Sequence, residues 1–478
     1  MRAVGAISLI ALTACASRPA ATADKSAATA RGVAPEAWAY EVEVPADGRT
    51  LDVTATFPTG SGSAFELDDA APFTEKVEWR APASTGTWQG ATLRDRAWLI
   101  ACAAGCDLRY RVRMGDAARA LRDMDSAMEV HGAIESTPST WILRPTDFDP
   151  RSTYRFHVHT GGDVRFATGV RPVPGAPDTY GGRAIDLESA PYTVFGKLRT
   201  RALVRTGTTI EVATLEGALA LDDAAIDRWI DLAVRAVDAY YGHFPVSRLL
   251  LVVAPIAAGH EAVEGRTLAN GGAAILLGVS EHMTAEEIPR DWVLTHEMIH
   301  LTSPALPREQ HWLEEGIATY VEPIARAEVG TIAPEEVWRG LVDGLPNGEP
   351  GPGDQGLDNT HTWGRTYWGG AMFCFLADLE IRKRTGNRAS LETALRGVLD
   401  GLGSGEIRAS VDDLLRAGDR ATGVPVLEEL HTRLGGKAET VDLAALWSEL
   451  GVRDAGGKIT FDDAAPATAI RRSIGARK

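Results

Sequence analysis

The chain has 478 residues, and its 65 acidic and 49 basic side chains give it a formal net charge of −16. Such a length exceeds what one ordinary hydrophobic core requires, so two or three domains are expected. The negative charge opposes binding to polyanions and excludes nucleic acid as an expected partner. A hydrophobic content of 45% and a charged content of 24% are typical of a protein that buries sizeable cores.

The N-terminus has the pattern of a secretory signal. Arg2 precedes a short apolar run and then small residues that end at Cys15, a run too short to remain in a membrane as a helix. Its ending, LTAC, resembles a bacterial lipobox, although an ordinary signal peptide with an incidental cysteine is the alternative. The resemblance implies a lipoprotein signal peptide (1–15), a flexible linker (16–35), and attachment to the bacterial cell envelope, in the periplasm or at the outer membrane, only through lipid on Cys15.

Alternating apolar and polar residues predict an N-terminal β-sandwich over residues 36–212. The stretches WAYEVEVP (38–45) and TLDVTATF (50–57) are examples, and clusters of Gly, Pro and Asp separate such stretches. Cys102 and Cys106 are close in sequence, so a small disulfide loop is expected in an oxidising compartment.

The pattern changes near residue 215. Two buried strands are predicted, RLLLVVAP (248–255) and GGAAILLGV (271–279), and the chain is mainly helical from Pro289 onward. The expected fold class is therefore α+β and multidomain. A mainly helical domain (213–400) follows the β-sandwich, and a small helical C-terminal part (401–478) ends the chain.

The motif HEMIH, residues 296–300, has the spacing of a metal site. His296 and His300 are one helical turn apart, so both imidazoles can bind one ion from the same helix face. Glu297 is rotated from them by about 100°, which suits a carboxylate that acts on a metal-bound water. About 0.015 accidental matches to HExxH are expected in a chain of this composition. The alternative is a pair of solvated histidines on a surface helix.

A catalytic zinc site also needs a third protein ligand. The stretch EQHWLEEGIATYVE returns to helical character and is predicted to end or kink at Pro323. Spacing alone leaves Glu314, Glu315 and His311 as alternatives for the third ligand.

The motif HEMIH followed by WLEEGIATY resembles the gluzincin zinc metallopeptidases, in which HExxH is paired with WxxEG. This resemblance implies a thermolysin-like domain and one Zn²⁺ per chain, bound by His296, His300 and Glu315. It also implies that Glu297 is the general base. Glu322, two turns beyond Glu315, is a candidate for orienting a ligand histidine, and its alternative is a solvated charge at the helix end.

A second stretch, RTYWGGAMFCFLADLEIRKRTGNRASLETALRGVL (365–399), is similar to a segment of the aminopeptidase N clan, and most similar to its glycyl aminopeptidase-like branch. The resemblance implies that Tyr367 hydrogen-bonds the oxyanion, although Gly369 stands where lysine is usual. In the family a Gly-rich strand carries a glutamate that binds the free amine of the substrate. The candidate here is GGAAI (271–275), with Ala274 at that glutamate's place and with Gly271 and Gly272 offering backbone groups to an extended peptide.

These features predict a zinc metallopeptidase that hydrolyses peptide or protein substrates in the cell envelope, with exo- and endo-cleavage both open. The alternative is a non-hydrolytic, metal-binding lipoprotein that binds peptides or partner proteins in the same cleft. Ala274 and Gly369 motivate that alternative, whereas Glu297 argues against it, because a binding protein needs no general base.

Overall fold

A computed structural model describes residues 37–82, 86–257 and 263–477 of the protein. The predicted signal peptide, the linker and Cys15 lie outside these residues. Within the described part of the chain, no helix combines the length and the apolar character that crossing a membrane requires.

The N-terminal part consists mainly of strands, together with one helix, α1 (Met114–Leu121). Side chains alternate between buried and exposed along the longer strands, as expected from the sequence. In chain order the strands are β1 (Trp38–Val44), β2 (Leu51–Phe57), β3 (Ala64–Glu66), β4 (Thr74–Arg80), β5 (Gln89–Gly90), β6 (Thr92–Arg94), β7 (Ala97–Leu99), β8 (Cys106–Val112), β9 (Ala127–Val130), β10 (Ala133–Ser136), β11 (Arg144–Pro145), β12 (Thr153–Thr160), β13 (Arg165–Thr168), β14 (Thr179–Arg183) and β15 (Thr193–Gly196).

These strands form three sheets. A seven-stranded sheet has the order β14-β12-β1-β2-β8-β4-β5, and the two four-stranded sheets have the orders β13-β15-β10-β9 and β11-β3-β7-β6. Cys102 and Cys106 are joined by a disulfide at the start of β8.

A fourth, five-stranded sheet begins the C-terminal half. Its strands are β16 (Leu198–Arg205), β17 (Thr208–Leu215), β18 (Arg248–Ile256), β19 (Val263–Leu268) and β20 (Ala274–Ser280). The order is β16-β17-β18-β20-β19, with a parallel centre and an antiparallel strand at each edge. The predicted boundary between residues 212 and 213 falls inside β17, so this sheet starts earlier in the chain than expected.

The sheet β13-β15-β10-β9 lies between two cores. Ile134 of β10 belongs to the core of the seven-stranded sheet, whereas its neighbour Ala133 packs with Leu250 and Ala274 of the five-stranded sheet. The other face of the five-stranded sheet, which includes Leu251, is covered by helices. This layering explains why the central strands β18 and β20 read as continuous apolar runs.

Helices dominate the rest of the chain. The helix α2 (Asp223–Tyr241) is capped by Asp222, whose Oδ1 accepts a 2.7 Å hydrogen bond from the amide of Ala225. It is followed by α3 (Val293–His300), α4 (His311–Glu328), α5 (Pro334–Gly344), α6 (Gly370–Thr385) and α7 (Leu391–Leu402).

The prediction that Pro323 ends or kinks a helix near Glu322 is wrong about the ending. α4 continues through Pro323 to Glu328. The lost backbone hydrogen bond is outweighed because Ile324, Ala325 and Ala327, in the turn that follows, are buried in the core.

The C-terminal part is helical, as expected, but it also contains a small antiparallel sheet. Its elements are α8 (Val411–Thr422), α9 (Val426–Leu434), α10 (Leu443–Leu450), β21 (Val452–Asp454), β22 (Ile459–Phe461) and α11 (Thr468–Ser473).

Candidate metal centre and cleft

The helix α3 presents HEMIH to a cleft. Asp291 Oδ2 accepts hydrogen bonds from the amide of Leu294 at 3.2 Å and from Nε1 of Trp229 at 2.8 Å. The first turn of α3 is thereby capped and tied to α2. His296 and His300 lie on one helix face, with ring centroids 4.9 Å apart.

Glu315 of α4 completes a group of three metal-ligand side chains. Its Oε2 lies 3.2 Å from Nε2 of His296 and 3.6 Å from Nε2 of His300. Two ligand atoms bound to one tetrahedral zinc ion lie about 3.3 Å apart, so these separations fit zinc. Spacing left Glu314, Glu315 and His311 as alternatives for the third ligand. In the structure, one carboxylate oxygen of Glu315, Oε2, lies close to both histidines.

His311 contacts the same carboxylate from the other side. Its Nε2 lies 3.3 Å from Oε1 of Glu315, and its Nδ1 lies 3.0 Å from Oε2 of Glu314. Burial would lower the pKa of His311, but the hydrogen bonds to Glu314 and Glu315 outweigh burial and raise it to about 9. Glu314 also accepts a 2.9 Å hydrogen bond from the amide of Leu306, and it is not part of the group formed by His296, His300 and Glu315.

Glycines bring α4 and α6 into close contact. A Cβ atom on Gly316 would lie 2.3 Å from the carbonyl carbon of Gly370, and one on Gly370 would lie 2.1 Å from the carbonyl oxygen of Trp312. Larger residues would force the helices apart. The close approach places the turn before α6, which carries Tyr367, beside Glu315.

Tyr367 lies on a single π-helical segment, Gly364–Gly369, whose geometry is frequent at functional sites. Its ring stacks on that of His296 at a centroid distance of 6.5 Å and on that of Trp363 at 6.1 Å. Burial, and secondarily the charge of Glu315, raise the pKa of Tyr367, which keeps the phenol protonated and able to donate.

Glu297 is held by the edge strand β19. Thr267 Oγ1 lies 2.7 Å from Oε2 of Glu297 and 2.9 Å from its backbone carbonyl oxygen. Gly265, two residues earlier, leaves room for this side chain, because a Cβ atom there would lie 2.5 Å from Cγ of Glu297. Sequence reasoning missed both residues, because VEGRTL shows neither an alternation of apolar and polar residues nor a motif.

Glu322 is buried, with 7% of its surface exposed, so the alternative of a solvated charge at a helix end is wrong. Its Oε1 accepts a 2.6 Å hydrogen bond from Arg326, which also donates to the backbone carbonyl of Pro289. Burial raises the pKa of Glu322, and the charges of Arg326 and then His296 oppose that shift. The charge of His296 therefore acts on the carboxyl group of Glu322. Nδ1 of His296, however, has no hydrogen-bond partner among the described residues.

The structure does not bring Gly271 and Gly272, the residues assigned to substrate binding, to the cleft. Neither lines the cleft as far as the chain is described. The amide of Gly271 donates to the carbonyl of Glu406, its carbonyl accepts from Arg171, and Gly272 forms a bridge with Val170. Both backbone groups of Gly271 are therefore already used within the protein.

The strand that borders the cleft is β19, one strand away from the predicted one. Ala274 lies in β20, is fully buried and pairs with Leu268 of β19. It does not mark the position of an amine-binding group, so the absence of an anion at this residue carries no information about the substrate.

The cleft has a volume of about 590 Å³, and both apolar side chains and polar or charged side chains line it. Arg266 of β19 lies along it and forms a two-point ion pair with Asp125, at 3.0 and 3.1 Å, which ties the edge strand to the N-terminal half. Nearby, Glu135 of β10 is fully buried, and neither of its carboxylate oxygens has a hydrogen-bond partner in the described structure. Sequence reasoning singled out none of these three residues.

No known family model and no curated protein matches the chain. Solved structures match its fold. An aminopeptidase N family protein from Idiomarina loihiensis is 15% identical, with a TM-score of 0.69 over 87% of this chain and 78% of that chain. The M1 zinc metallopeptidase from Deinococcus radiodurans is 17% identical, with a TM-score of 0.51 over 86% of this chain and 97% of that chain.

A variant of the Deinococcus enzyme, solved with the substrate Tyr-Ser-Ala, is 15% identical, with a TM-score of 0.53 over 86% of this chain and 95% of that chain. The mixed α/β architecture is therefore the fold of M1 zinc metallopeptidases. The predicted resemblance to the gluzincin clan is confirmed at the level of the fold.

Proposed function

We propose that the protein is a zinc-dependent metallopeptidase of the bacterial cell envelope. The observation that carries this proposal is the convergence of the ligand group His296, His300 and Glu315 with Glu297 and Tyr367 in one cleft. The separations within the ligand group fit zinc, and the fold is one in which zinc peptidases have been solved.

The ligand group would hold one Zn²⁺ per chain. When bound, Zn²⁺ supplies a Lewis acid that polarises the substrate carbonyl and lowers the pKa of a coordinated water. Glu297 accepts the proton of the attacking water and later delivers it to the leaving amine. Thr267 fixes the orientation of that carboxylate, while the phenol of Tyr367 donates a hydrogen bond to the oxygen on which negative charge develops.

The substrate is a peptide or a protein segment that enters the cleft beside β19. An extended peptide suits this edge, because the strand has a neighbour, β20, on only one side. The tripeptide solved with the Deinococcus enzyme supports a peptide substrate by analogy of fold.

The cell-envelope location is supported by the signal pattern that ends at Cys15 and by the Cys102–Cys106 disulfide, since disulfides persist in oxidising compartments. Attachment would be through lipid on Cys15.

The decisive experiment compares the wild type with Glu297→Gln for zinc content and for cleavage of a peptide library. The variant should keep the zinc content of the wild type and lose roughly 10²- to 10⁴-fold in kcat, because only proton transfer is removed. Glu309→Gln, an exposed change close in sequence to the metal ligands, is the matched control and should cleave like the wild type.

Equal cleavage by wild type and Glu297→Gln would overturn the role of Glu297. A zinc-loaded wild type that returns every peptide uncut would favour the non-hydrolytic, peptide-binding lipoprotein instead.

A further inference from the structure

A second group of metal-ligand side chains lies on the exposed face of the seven-stranded sheet. It consists of Glu41 on β1 and of His157 and His159 on β12, and none of the three lines the cleft. Their side chains are 60%, 33% and 46% exposed, respectively, so a dissolved ion can reach them.

The three ligand atoms converge on a small volume. Oε2 of Glu41 lies 3.0 Å from Nδ1 of His157 and 3.3 Å from Nε2 of His159. No two of the three ligand atoms are more than 4.8 Å apart, and the two rings are in contact with centroids at 4.2 Å. Separations near 3.3 Å are about what two ligands of one tetrahedral ion require.

The sheet holds this group in place before any ion binds. β1 and β12 are parallel neighbours in which Glu41 is paired with His157 and Glu43 with His159. His157 and His159 are two residues apart, so they point to the same face. The intervening Val158 and the neighbouring Val42 are buried on the opposite face, which prevents the strands from rotating.

Nearby carboxylates favour a cation, and the exposed Arg155, two residues before His157 on the same face, opposes it. Glu43 follows Glu41 on the same face and provides a further carboxylate opposite His159. The positive Arg111, two strands away, is already neutralised by two hydrogen bonds to Asp52, at 2.5 and 2.7 Å. Two imidazoles and a carboxylate suit zinc and related divalent transition metals better than Ca²⁺ or Mg²⁺, which prefer oxygen ligands.

We propose that Glu41, His157 and His159 form a surface site for a divalent transition metal of the zinc class, separate from the cleft. The shared oxygen and the contact between the rings place all three ligand atoms where one cation can be bound by them together.

Equilibrium dialysis of the full chain against Zn²⁺, after removal of bound metal, tests this site. The wild type should bind about two Zn²⁺, and His157→Ala/His159→Ala should bind about one while cleaving peptides like the wild type. Glu315→Ala should also bind about one, because it loses the ion in the cleft and keeps the one on the sheet.

The matched control is His243→Ala/His282→Ala, which removes two imidazoles that contact carboxylates, at 3.1 and 3.4 Å, but belong to no three-ligand group among the described residues. It should bind as much Zn²⁺ as the wild type. A thermal-unfolding series gives a second measurement: Zn²⁺ should raise the Tm of Glu315→Ala but not that of a chain that also carries His157→Ala/His159→Ala.

The proposal is overturned if His157→Ala/His159→Ala binds as much Zn²⁺ as the wild type, or if Glu315→Ala binds none. If Glu315→Ala instead keeps both ions, the assignment of Glu315 as a ligand in the cleft fails. The Zn²⁺ binding of His157→Ala/His159→Ala then still decides whether the surface site exists.

Discussion

Oγ1 of Thr267 lies 2.7 Å from Oε2 of Glu297, which joins the edge strand of the five-stranded sheet to the helix that carries His296 and His300. The two residues are thirty positions apart in the chain. Through this contact, the strand that borders the cleft also orients the carboxylate that would take the proton of the attacking water. In the proposed mechanism, the same strand would fix the position of both the substrate and the base.

Replacing Thr267 with Val keeps the shape of the side chain and removes the hydrogen bond. We expect kcat to fall by roughly tenfold to a hundredfold, since Glu297 loses its fixed orientation, while KM and zinc content change little. Steady-state kinetics on one cleaved peptide provide the measurement. Thr200→Val, at an exposed position of the same sheet, is the control. An unchanged kcat in Thr267→Val would show that Glu297 needs no such support.

Replacing Tyr367 with Phe removes a hydroxyl and leaves the stacked rings in place. If the phenol donates to the developing oxyanion, kcat should fall by roughly 10²- to 10³-fold with zinc content unchanged. Tyr180→Phe, in the seven-stranded sheet, controls for the loss of a hydroxyl elsewhere. A wild-type kcat in Tyr367→Phe would assign the ring a packing role only.

His311 should matter for zinc binding rather than for proton transfer. Its Nε2 lies against Oε1 of Glu315, so that the other oxygen, Oε2, is left facing His296 and His300. We expect His311→Ala to weaken zinc binding by roughly tenfold to a hundredfold, which competition with a chelator would measure. The exposed His361→Ala is the control. Equal zinc affinities would mean that Glu315 is positioned without help from His311.

The ligand group was predictable because each part of it has a local signal. HEMIH fixes two ligands through helix geometry, and the resemblance to WxxEG selects Glu315 over Glu314. Contacts between distant segments leave no such signal. Gly265 and Thr267 become informative only once β19 is known to lie against α3, and periodicity could not tell that the cleft is bordered by β19 and not by the strand after Gly272.

Tertiary packing also explains other differences between the sequence-based expectations and the structure. The local effect of Pro323 on the backbone predicted that the helix would end or kink there. The helix continues because the turn that follows Pro323 is buried. Tyr367 was selected by resemblance, whereas the π-helical segment that aims it has no recognisable sequence pattern.

Glu135 is expected to make the stability of the protein depend on pH. Burial, and then the charges of Asp125 and Asp123, raise its pKa well above the ordinary value. The folded protein therefore holds this proton over a pH range in which the unfolded chain has released it. Stability must fall as pH rises from about 4.3, the usual pKa of Glu, through the raised pKa of the folded state.

Glu135→Gln removes this titration. The difference in unfolding free energy between Glu135→Gln and the wild type should shift in favour of the variant as pH rises from 4 to 8, by at most about 1.4 kcal/mol per pH unit. Chemical denaturation at several pH values measures that slope, and the slope is the test because the amide itself adds a constant cost at every pH. Glu264→Gln, an exposed change on β19, should leave the wild-type slope intact. If the unfolding free energies of Glu135→Gln and the wild type change in parallel with pH, Glu135 gains a partner or a water in solution and ionises normally.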